Sequence, residues 1–97
     1  MENTIATQNA QRLASLSVIF CHINGLDPTV ELAQALTGAV MANIGKWYED
    51  NGYTNFDPRT MLICDEAIKA AFERVQEIAN LAAISVQTGI GMEGLNA

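Results

Sequence analysis

The side chains of this chain that could do chemistry are Cys21, Cys64, the lone His22, and the neighbouring carboxylates Asp65 and Glu66. A thiol nucleophile needs its base within hydrogen-bond reach. Cys21 and His22 are adjacent, and neighbours on a helix diverge by about 100°, so the pair nearest in sequence points to different sides. Cys64 with His22 is the remaining thiol–imidazole combination, and only folding could bring it together. Asp65 and Glu66 diverge in the same way. Paired-carboxylate hydrolysis requires a set separation across a cleft, so these two read as a solvated helix face. One histidine excludes the two Glu-x-x-His motifs of a di-iron bundle. The absence of Cys-x-x-Cys excludes a zinc knuckle. Gly-x-x-x-x-Gly-Lys-Ser/Thr is absent, and the Gly-x-Gly-x-x-Gly spacing of Gly89-Ile90-Gly91-Met92-Glu93-Gly94 follows an expected helix rather than opening one. No cofactor and no metal are expected, and the chain is not read as an enzyme. A small enzyme or enzyme subunit using Cys64 and His22 is the last of three functional alternatives.

The elements that carry these residues are helical. The dominant stretch is Asp57 to Thr88. Asp57-Pro58 has the chemistry of a helix start, and Gly89 suits the turn after a helix. Between them Met61, Cys64, Ile68, Ala71, Val75, Ile78 and Ala82 recur at spacings of three and four, which is one apolar stripe. The third helix is therefore expected over 58–88. After Glu77 its solvent side loses charge: Leu81 and Ile84 stand where polar residues would be expected, which implies burial all round. The tail 89–97 is glycine-rich but carries Ile90 and Met92, and is expected to fray or to lie in a neighbour's groove.

The first helix is expected over 4–23, ended by Gly25. It shows two apolar strips instead of one. Ala6, Ala10, Leu13, Ala14, Phe20 and Cys21 form the broader strip; Ile5, Leu16, Ile19 and Ile23 form the other on nearly the opposite side. Such a helix is gripped from two sides. Asp27-Pro28 predicts the start of a second helix over 28–50, ended by Asn51-Gly52. Leu32, Ala33, Leu36, Ala39, Val40, Ile44 and Trp47 make its core strip, interrupted by Asn43. Its back carries Gln34, Gly38, Met41, Gly45 and Tyr48 with few charges. Glycine inside a helix costs about 1 kcal/mol relative to alanine, so Gly38 and Gly45 on one face suggest close packing there. Trp47, Tyr48, Tyr53 and Phe56 form the one aromatic concentration, expected to close an end of the bundle, and Phe56 is placed to staple the start of the third helix.

Composition limits what such a bundle can do. The 97 residues make one domain, 1–97. Apolar residues are 49% of the chain before its seven glycines are added, against about 45–50% with glycine counted in an average domain. The surplus needs a second interface. Eleven acids against five bases give a net charge of −6, which speaks against gripping nucleic-acid phosphates or an anionic membrane. Two cysteines on apolar stripes read as buried thiols. No basic n-region and apolar h-region open the chain, and no charge-free run is long enough to span a bilayer. The expectation is an all-α, three-helix antiparallel bundle completed by dimerisation, cytoplasmic, and acting by contact on a protein partner as an adaptor, chaperone or small inhibitor. The homodimer interface is expected at Gly38, Met41, Gly45, Tyr48, Leu81, Ile84, Ile90 and Met92. The second alternative is an acidic inhibitor that competes with nucleic acid for a basic surface. It requires Glu49, Asp50, Asp57, Asp65, Glu66, Glu73 and Glu77 to form one continuous negative face.

Overall fold

The computed structural model of the protein describes residues 4–88, with side chains described over 4–82. Three helices account for most of it: α1 (Ile5–Ile23), α2 (Val30–Asp50) and α3 (Asp65–Thr88). The fold is an all-α bundle, and no strand occurs among the described residues. The expected tail with Ile90 and Met92, and the side chain of Ile84, lie outside what is described.

The first two helices start on threonines. Thr4 Oγ1 accepts the Thr7 N–H at 3.1 Å, and Thr29 Oγ1 accepts the Leu32 N–H at 3.1 Å. Each thus satisfies a donor that the first turn leaves without a partner. Thr29 performs the capping that Asp27 was expected to perform, and α2 begins at Val30 rather than Pro28. Gly25 and Gly52 follow the two helix ends with φ of 69° and 86°, the left-handed conformation in which glycine is unstrained.

The start of the third helix differs from expectation by a whole segment. Asp57-Pro58 opens a turn, and α3 begins only at Asp65. The Asp57 carboxylate accepts the Arg59 N–H at 2.9 Å and the Arg59 guanidinium at 3.0 Å. The following backbone is then captured from α1. Asn9 Nδ2 donates to Pro58 O at 2.8 Å and Met61 O at 2.9 Å, while Asn9 Oδ1 accepts the Ile63 N–H at 3.1 Å. Arg12 donates to Ile63 O at 2.8 Å. Groups that would have extended the helix are bonded elsewhere, and this accounting overrides the local preference. Met61 and Cys64 leave the expected stripe and are exposed, whereas Ile63 is buried. Cys64 is thus not the buried thiol that its spacing suggested; Cys21 is.

The core is made by Leu13, Phe20 and Cys21 of α1, Leu36, Val40, Ile44 and Tyr48 of α2, Ile63, and Ala67, Ile68 and Ala71 of α3. Tyr48 belongs to it, contrary to its assignment to the back of α2. Its ring stacks on Phe56 with centroids 3.8 Å apart, and its hydroxyl accepts the Cys64 N–H at 2.9 Å. The aromatic residues do close one end of the bundle. Phe56 does this by covering Tyr48, with no helix start beside it to staple. Asn43, expected inside the core strip, bonds its own helix at Ala39 O, 2.8 Å. No buried side-chain nitrogen or oxygen among the described residues lacks a partner.

Candidate functional site

The backbone of α2 packs closely against both neighbours, whereas α1 and α3 meet through side chains alone among the described residues. Side-chain bridges join them at two levels. Near one end Arg12 donates to Asp65 at 2.8 Å. Near the other, Asn24 and Gln76 exchange two amide hydrogen bonds, at 2.9 and 2.8 Å. These bridges show that α1 and α3 run parallel, each antiparallel to α2. From Arg12 to Asn24 is twelve residues, about 18 Å of helix.

Between the bridges lies a groove of about 760 Å³ with no α2 residue in its lining, so it opens on the side away from α2. Its apolar walls are Leu16, Ile19, Phe20 and Ile23 from α1 and Ile68 and Phe72 from α3. Phe20 and Phe72 meet with ring centroids 6.0 Å apart. Charge is confined to Arg12, Asp65, Lys69 and Glu73, of which Arg12 and Asp65 are bonded to each other. The groove therefore offers apolar contact and few converging polar groups. A small polar substrate needs the reverse; an apolar helix laid along the groove needs what is here.

Further apolar side chains are exposed outside the groove's lining or at its end. Ile23, Leu26, Val30, Ile78 and Leu81 are all exposed, Ile23 to 76% and Leu81 to 59%. Ile78 and Ala82 were expected on the buried stripe of α3 but are exposed; α3 contributes to the core only as far as Val75. Ile78, Leu81 and Ala82 are thus not enclosed by the described part of the chain.

The residues expected at an interface fall in three places. Gly38 and Gly45 are exposed on the outer side of α2, with nothing within 4 Å of a methyl built on either. Their own chain thus supplies no close packing. Met41 is half-buried against the core, and Tyr48 is inside it. Leu81 is exposed on α3. The groove itself was not anticipated as a site. Its signal was the second apolar strip of α1, since Leu16, Ile19 and Ile23 all line it.

The alternative sites are not assembled. His22 lies ten residues beyond Arg12, whereas Cys64 lies beside Asp65, to which Arg12 is bonded. The two are separated by about 15 Å along the parallel helices. The seven acids proposed as one face are broken up by bases. Asp50 pairs with Lys46, Asp57 with Arg59, Asp65 with Arg12 and Glu77 with Arg74. Arg59 bonds hold the Asp57 carboxyl below its ordinary pKa, and burial pushes the Tyr48 hydroxyl above its own. Among the described residues no three of His, Cys, Asp and Glu converge as a metal cluster, and no helix is long and apolar enough to cross a membrane. Comparison with protein-family models, curated proteins and solved structures finds no significant match to this chain.

Proposed function

We propose that this protein is a non-enzymatic, cytoplasmic helical interaction module that works as a homo-oligomer and presents its remaining surface to a protein partner, as an adaptor, chaperone or small inhibitor would. The observation that carries this reading is the apolar groove between α1 and α3, together with the exposed Ile23, Leu26, Val30, Ile78 and Leu81. An apolar groove of this kind marks interaction sites on folded proteins. The four ion pairs weigh against the nucleic-acid competitor, because each sets a cation beside one of the acids it would need. The separation of His22 from Cys64 weighs against a thiol enzyme.

Light scattering and sedimentation at micromolar concentration test the reading. A mass of twice the 10.5 kDa chain, or a higher multiple, is expected. A well-behaved monomer across that range discards the homo-oligomer.

A further inference from the structure

We propose that the groove between α1 and α3 receives the last turns of α3 from a second copy of this chain, in a reciprocal exchange about a two-fold axis near Gln76. This rests on the self-association proposed above and names the surface that performs it.

Charge selects the occupant. The groove lining is mainly apolar, with Phe20, Ile68 and Phe72 among its walls, so an inserted helix must not carry a charge onto these three side chains. From Ile78 to Thr88 the chain has eleven residues without one Asp, Glu, Lys or Arg. These belong to α3, whose core contacts among the described residues end at Val75. Length agrees as well. The groove extends about 18 Å between its two bridges. The twelve residues of α3 beyond Gln76 extend about 18 Å at 1.5 Å per residue.

Symmetry closes the arrangement. Each chain has one such groove and one such projecting end, and a two-fold axis covers both pairs at once with no leftover surface to recruit a third copy. Twelve residues line the groove and eleven form the insert, twenty-three from each chain. A stable interface uses roughly 20–30 residues a side.

The axis also fixes a register. With the two α3 helices antiparallel, the groove segment centred on Lys69 faces the projecting segment centred on Ala83, and Gln76 faces Gln76 of the partner subunit. Interpolation between the Arg12–Asp65 and Asn24–Gln76 bridges puts Ile19 level with Ala71, hence opposite Leu81 of the partner subunit. Both side chains are about half exposed in the single chain, Ile19 at 51% and Leu81 at 59%, so a charge at either is compatible with folding.

The test is the full chain with Ile19→Lys, with Leu81→Glu, and with both, measured by sedimentation equilibrium after circular dichroism has checked helicity. The native chain is expected to be dimeric. Either single change should weaken the dimer at least tenfold, and the double change should recover at least tenfold relative to either single. Unchanged association in the single variants would overturn the groove as the interface while leaving self-association standing, with the outer side of α2 as the next surface. Loss without recovery would overturn the Ile19–Leu81 register. A monomeric native chain would end both readings. Should a charged variant lose helicity, Ile19→Cys with Leu81→Cys in a Cys64→Ser background replaces it. In one chain these positions are about 15 Å apart along the axis, so a short bis-maleimide should link chain to chain, and no interchain link would overturn the proposal.

Discussion

Removing Asn9 should destabilise this protein more than removing a half-exposed groove hydrophobe such as Ile19. Asn9 is 2% exposed and makes three hydrogen bonds to the backbone of Pro58, Met61 and Ile63. Asn9→Ala leaves two carbonyl oxygens and one N–H without these partners. An intramolecular hydrogen bond contributes about 1 kcal/mol net, and a buried group left unsatisfied costs about 1–3 kcal/mol. Water can reach the parts of 57–64 that are exposed, so the lower end applies to the two carbonyls and the upper end to the enclosed Ile63 N–H. The expected loss is about 5 kcal/mol, a large fraction of the ~5–15 kcal/mol typical of a domain. Urea unfolding followed by circular dichroism measures it as a lower midpoint with an unchanged slope. Hydrogen exchange adds a local readout, because the Ile63 amide should lose its protection. A loss below about 1 kcal/mol, on the scale of one ordinary bond, with Ile63 still protected, would refute the claim that α1 holds the segment in place.

Tyr48→Phe keeps the stacked ring but removes the acceptor for the Cys64 N–H, and should cost about 1 kcal/mol by denaturant titration. Because the folded pKa of Tyr48 lies above the unfolded value, its contribution is complete below the unfolded pKa of about 10 and is lost as pH rises through the folded one; alkaline unfolding curves should shift with Tyr48→Phe. In the native protein a thiol reagent should modify Cys64 and spare the buried Cys21, the second thiol appearing only in denaturant; equal native rates would contradict the core described here. Gly38→Ala meets no atom within 4 Å and should raise stability by about 1 kcal/mol; if it instead lowers the association constant, the outer side of α2 is an interface. Each chain carries a net charge of −6, so raising salt should strengthen self-association by screening, seen as a smaller dissociation constant by sedimentation; a weakening would mean that attractive ion pairs hold the copies together.

The helices were legible because their apolar residues recur with helical spacing and their ends carry Thr, Asn and Gly in capping positions. The start of α3 was not. Asp57-Pro58 has the local chemistry of a helix start, but the outcome is decided by Asn9 and Arg12, about fifty residues earlier in the chain. No local window contains that information. Tyr48 was misplaced for a related reason: its register grouped it with Gly38, Met41 and Gly45 on the back of α2, whereas it stacks on Phe56 and accepts the Cys64 N–H, partners from the segment beyond the helix. The groove was half legible. Leu16, Ile19 and Ile23 announced a second contact surface on α1, but of its other wall Ile68 read as part of the core stripe and Phe72 had no place on that stripe, so the slot between the two helices was not foreseen.

The paired amides of Asn24 and Gln76, and the Arg12–Asp65 contact, act as spacers that set the gauge between two parallel rails. Hydrophobic attraction alone would draw those rails together and seal the slot, whereas polar bonds of fixed length resist both narrowing and spreading. A visitor would then meet a berth already cut to width. Little of the contact energy would go into prying it open, and docking would be limited more by encounter than by rearrangement of the host.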